Sequence, residues 1–137
     1  MSIGIPDLWP DAVTLKDVVS PVMILRHQAG LLRGRSQNVL AADVKSHLED
    51  TSVTHEFWLM VPALGRKTFS LFEVQHEIEF VYPAGVRFGP LTQESFKLCD
   101  SQEAFTQLLA EVFRNHRTVS VIQSLLAKAN EQAATHN

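Results

Sequence analysis

The sequence predicts an α+β fold from three observations: a two-residue hydrophobic rhythm starting at Phe72, a proline-led amphipathic segment from Ser20, and further amphipathic stretches after Asp100. In the first, Phe72, Val74, His76, Ile78, Phe80 and Tyr82 fall on one side and Glu73, Gln75, Glu77 and Glu79 on the other. A period of two with one wet side marks a half-buried antiparallel strand, with a bend near His76 allowed by its length. Amphipathic helices bury their stripes most simply on the greasy side of such a sheet. The expected architecture is a three- to four-stranded antiparallel sheet packed by a long N-terminal helix and two C-terminal helices.

Taken in order, residues 1–19 read as an irregular N-terminal arm, because Ile5-Pro6 and Trp9-Pro10 bias the backbone toward extended forms. Leu8, Trp9, Val13 and Leu15 give the arm apolar surface to set against the body or another subunit. Residues 20–130 read as a single α+β domain, opened by Ser20 as a cap and Pro21 at the first helical position. Val22, Leu25, Ala29, Leu32, Val39, Leu40, Val44 and Leu48 recur at three- and four-residue steps, so one helix reaching about Glu49 is favoured over a break near Gly34 with a restart from Ser36. Gly30 and Gly34 would let another element cross it closely.

Residues 54–63 read as a strand, Leu64-Gly65-Arg66 as a turn, and Lys67 onward as the second arm of a hairpin. Val86-Arg87-Phe88 resumes as an edge strand, ended by Gly89-Pro90. Asp100 and Glu103 are spaced as a capping box for a helix burying Phe105, Leu108, Leu109, Val112 and Phe113. After a break at Asn115-His116-Arg117, Thr118 is placed to cap a last helix that buries Val119, Val121, Ile122, Leu125 and Leu126. The tail, residues 131–137, is polar and small and is expected to fray.

At 137 residues the chain is long enough for one core, and 45% apolar with 20% charged residues argues against wholesale disorder. A single cysteine, Cys99, excludes an internal disulfide and a cysteine-based zinc site. With no secretory signature at the start and no apolar run long enough for a bilayer, the expected compartment is the cytoplasm and no membrane partner is expected. A net charge of −3, with Glu49, Asp50, Glu56, Glu73, Glu77 and Glu79 crowded into the middle of the chain, speaks against nucleic acid.

No P-loop, dinucleotide fingerprint, nucleophile elbow, metalloprotease motif or EF-hand loop is present, and no cofactor or metal is expected. His76 is the most informative residue because it interrupts an apolar side, and an imidazole can serve as a general base near pH 7. His55 and Glu56 are the candidate supporting residues if strands 54–63 and 67–76 pair. Glu73 belongs to the opposite side of its strand from His76, which argues against a shared metal. Cys99 is a weaker candidate nucleophile. For partner binding the candidates are Trp9, Arg26, Arg33 and Trp58.

Amphipathic stripes outnumber catalytic-type clusters. The leading expectation is therefore a small non-catalytic interaction or regulatory module, homodimeric through its arm or a sheet edge, with a protein partner also in view. The alternatives are a small hydrolase using His76 as base, and a small-ligand binder with a pocket lined by Phe72, Phe80 and Leu32.

Overall fold

The computed structural model describes residues 4–13, 19–88 and 96–135, with side chains as far as residue 132. The chain is α+β. Helix α1 (Pro21–Arg35) leads into strands β1 (Ala41–Glu49), β2 (Ser52–Val61), β3 (Lys67–Glu77), β4 (Ala84–Arg87) and β5 (Phe96–Cys99), and helices α2 (Gln102–Arg114) and α3 (His116–Thr135) follow. The strands form one five-stranded antiparallel sheet in the order β1-β2-β3-β4-β5, so every strand pairs with its sequence neighbours.

Register divides the side chains into two layers. Phe57 faces Val44 and Phe72 across the strands, and Val74 faces His55 and Val86. These positions lie on the side that the helices cover, where Phe57, Leu59, Phe72, Val74 and Val86 join Leu25, Phe105, Leu108, Val112 and Leu125 in one buried core. Phe57 stacks on Phe72 at 5.1 Å between ring centroids, and Phe113 of α2 closes on both. The other side of the sheet stays open. One row across it reads Lys45, Glu56, Glu73, Arg87, and its outer cations flank its central carboxylates. This is the wet side that the glutamate alternation predicts.

Several sequence expectations need correction. The long helix ends at Arg35, and residues 41–49 are a strand, so the sheet has five strands rather than three or four. The chain turns at Gln37 and Asn38, both left-handed at φ 54° and 67°. The Asn38 N–H donates back to the Arg33 carbonyl, closing the helix end, and Arg33 and Arg35 sit against its negative pole. The Ser36 hydroxyl then pins both backbone groups of Leu40, the residue before β1. Val39, Leu40, Val44 and Leu48 fit a helical stripe, but Leu40, Ala42, Val44 and Leu48 fit a strand equally well.

Close packing at Gly30 and Gly34 is also overturned, because a Cβ at either position meets nothing within 4 Å. Finally, β3 stops at Glu77, leaving Ile78 and Phe80 exposed rather than in the core.

At the C-terminal end, Ser101 rather than Asp100 caps α2, its hydroxyl accepting the Ala104 N–H. Asn115 caps α3 in place of Thr118, accepting the Arg117 N–H. Residues 96–99 form the fifth strand, which pairs with β4. Leu15 and Gly89-Pro90 lie outside the described residues. Among the described residues no helix is long and apolar enough to cross a membrane.

Candidate functional site: a serine and two histidines

Strand β2 carries His55 on the helix-covered side, with Ser46 of β1 and Val74 of β3 as its cross-strand neighbours. One step along β3 from Val74 on that side is His76, opposite Val53. The Ser46 Oγ lies 2.7 Å from His55 Nδ1, His55 Nε2 lies 3.0 Å from His76 Nε2, and His76 Nδ1 lies 2.8 Å from the Glu77 carbonyl oxygen.

The hydrogen-bond direction follows from the last link. A carbonyl only accepts, so His76 Nδ1 carries a hydrogen and donates, and the Nε2 of a neutral His76 accepts. His55 Nε2–H therefore donates to it, His55 Nδ1 accepts, and the Ser46 hydroxyl donates to His55. All members are satisfied in one arrangement, with an unprotonated nitrogen aimed at a hydroxyl hydrogen.

Burial enforces that arrangement. His55 is 4% exposed and its pKa is lowered to about 4, first by burial and then by the neighbouring charges of His76, Arg26 and His47. Above that pH it is neutral and free to accept a proton from Ser46. Ser46 itself is exposed and His76 half-buried, so the hydroxyl end of the relay is open to solvent. Leu48 and Val53 flank it on the same side, and the exposed Ile78 follows β3 there, with its N–H donating to the Thr51 carbonyl.

The structure thus brings His55 and His76 together and leaves the other candidates apart, the Arg26 charge acting only to disfavour a protonated His55. Glu56 lies on the open side, where it accepts from Trp58 Nε1 at 2.8 Å, so it cannot support the histidines. Trp58 lies there too, under the Lys45 ammonium at 4.9 Å. Glu73 pairs with Arg87 at 3.5 Å. Arg33 is exposed in the last turn of α1, and Trp9 is exposed in the arm. Cys99 is buried at the end of β5 and burial raises its pKa, which makes it a poor nucleophile. Among the described residues no group of three or more His, Cys, Asp or Glu is arranged to hold a metal.

Sequence reasoning missed Ser46 because it treated residues 41–49 as helix. The alternation of Ala42, Val44, Ser46 and Leu48 was the available signal. Two surface cavities lie against α3, and neither is lined by Phe72, Phe80 or Leu32. No relay residue lines them either. Comparison with known proteins finds no matching family model, no matching curated relative and no matching solved structure.

Proposed function

We propose that the protein is a small serine hydrolase in which Ser46 is the nucleophile, His55 its general base and His76 the residue that positions His55. The supporting observation is the 2.7 Å contact between the Ser46 hydroxyl and a buried, neutral imidazole. A hydroxyl is a weak nucleophile unless an adjacent base takes its proton, and a base held by a third group is the recurrent solution. This reading takes up the hydrolase alternative rather than the interaction module that the sequence favours, and it moves the role of base from His76 to His55.

The chemistry balances as acyl transfer. Ser46 Oγ attacks an ester carbonyl, and its proton moves to His55 Nδ1 as the Oγ–C bond forms. The resulting imidazolium is stabilised through Nε2–H by the lone pair of His76. His55 then returns the proton to the leaving alcohol as the ester C–O bond breaks. Water, deprotonated by the same nitrogen, releases the acid and restores Ser46. One feature suits the developing oxyanion: the place of β1 as the outermost of the described strands, where alternate backbone N–H groups are not used by the sheet. A base with a pKa near 4 is always ready at neutral pH but weaker than one near 7, so slow turnover is expected.

Fluorophosphonate labelling followed by peptide mass spectrometry tests the reading. The adduct is expected on Ser46 and absent from Ser46→Ala. Labelling of His55→Gln is expected to be slower by about a hundredfold or more, the usual contribution of a general base. Labelling that ignores the loss of His55, or that never reaches Ser46, removes the proposal.

One observation favours a second reading, the homodimeric interaction module. Leu8 and Trp9 in the arm are 81% and 74% exposed, apolar surface of the kind that a second copy covers. Light scattering at tens of micromolar checks it: a dimer that Trp9→Ser dissociates supports this reading, and a strict monomer ends it.

A further inference from the structure

The cavity between the sheet and the start of α3 has a chemistry of its own. It encloses about 500 Å³, within the range of small-ligand pockets, and its walls include Phe69, Leu71, Phe88 and Val121. Leu71 is the extra residue of a β-bulge, left without a partner where Phe57 pairs with Phe72 and Trp58 with Ser70. Bulges break a ladder and re-aim side chains, and this one puts a leucine into the cavity wall.

Two polar residues from the first turn of α3 interrupt these apolar walls. Thr118 is 1% exposed, and its hydroxyl is buried without a hydrogen-bond partner among the described residues. A native structure rarely leaves a buried hydroxyl unpaired, and a threonine in a helix has the preceding turn's carbonyls within reach. Arg117, beside it, is exposed, and its guanidinium makes no ion pair with any described residue. Both line the cavity, and the positive pole of a 20-residue helix adds to the arginine charge.

From this combination we infer that the cavity is a binding site for a small carboxylate with an apolar tail, its tail against Phe69, Leu71, Phe88 and Val121 and its carboxylate held by Arg117 and the Thr118 hydroxyl. An uncharged apolar molecule leaves the hydroxyl unpaired and the arginine unused. A purely polar anion leaves the aromatic and aliphatic walls wet. The site lies apart from Ser46, His55 and His76, so it stands or falls separately from the hydrolase reading.

The test uses octanoate as the probe, titrated into the full chain and followed by NMR, with octanol and octylamine as controls. Octanoate is expected to shift the resonances of Phe69, Leu71 and Val121 and to bind at least tenfold more tightly than either control. Arg117→Gln is expected to weaken octanoate about tenfold and leave octanol unchanged. Thr118→Val separates binding from packing, because valine matches the shape without the hydroxyl. It is expected to raise the melting temperature of the free protein, by removing an unpaired buried group, and to lower octanoate affinity. A Thr118→Val variant that melts higher yet binds octanoate as well as wild type marks the hydroxyl as a packing defect and overturns the inference. So do equal affinities for octanoate and octanol, or an absence of shifts at the lining residues.

Discussion

The ring of Phe96 lies over Gly85 on the open side of the sheet, in the space that a Cβ at position 85 would occupy. Gly85 pairs with Leu98 and Phe96 with Arg87, so the ring reaches diagonally across the β4–β5 ladder. The Arg87 guanidinium sits 5.8 Å from the same ring. Glycine is a poor strand residue by itself, and here an aromatic neighbour supplies the missing cover. Gly85→Ala is expected to destabilise the protein by about 1–3 kcal/mol, the usual range for overpacking. Phe96→Ala in the same chain should recover most of that loss. A double-mutant cycle in urea checks this, and simple additivity of the two substitutions contradicts it.

The aromatic centre of the core is the most sensitive place for truncation. Phe57 is 1% exposed, stacked on Phe72 and tilted against Phe113 at 5.6 Å. Phe57→Ala should cost about 3–5 kcal/mol, since it removes buried area and leaves a cavity that rigid β2 and β3 cannot close. Phe57→Leu should cost clearly less. The urea midpoint should fall with an unchanged m value. A loss for Phe57→Ala below about 1 kcal/mol would contradict the packing described.

The start of α2 separates two capping residues that are neighbours in sequence. Ser101→Ala removes the hydroxyl that accepts the Ala104 N–H at 3.1 Å and should cost about 1 kcal/mol. Asp100→Ala should stay within about 0.5 kcal/mol, because Asp100 is exposed and outside the cap. Thermal melts of the two variants decide between them, and the reverse order of losses would restore the cap that sequence spacing suggests.

Those two residues also show where sequence reasoning reaches its limit. Spacing locates a helix start to within a residue or so, but choosing between adjacent Asp and Ser needs the backbone conformation. The rhythm from Phe72 to His76 was legible because a single wet side imposes it, and the 67–77 strand, the hairpin and both C-terminal helices follow from comparable patterns. Residues 39–48 were not legible, since their apolar positions satisfy both periods. The β1–β2 turn, Asp50-Thr51, adds no clear signal, lacking the glycine that usually marks a two-residue hairpin. His55 and His76 stood out individually, but their contact depends on register, and Ser46 enters only once β1 exists. Thr118 was visible only as a cap, because its unpaired hydroxyl is a property of tertiary packing.

His55 makes the stability of the protein depend on pH in a defined direction. Its pKa is lowered from 6.5 to about 4, chiefly by burial, with His76, Arg26 and His47 adding like charge. Between those values the unfolded chain binds a proton at this position and the folded chain does not, so acid favours unfolding. The stability that His55 preserves is complete above about pH 6.5 and is lost as the pH falls toward 4, by an amount on the order of 3 kcal/mol at most. Carboxylates titrate in the same region, so the measurement is a difference: urea unfolding of wild type and His55→Gln at pH 7 and pH 4.5. The wild type should lose more stability than the variant over that step, because glutamine cannot titrate. The comparison also bears on the relay, since protonating His55 at Nδ1 turns the acceptor of the Ser46 hydroxyl into a donor. Labelling of Ser46 should therefore fall at pH values below about 4, and equal pH slopes in the two proteins would show that His55 is not held neutral by the fold.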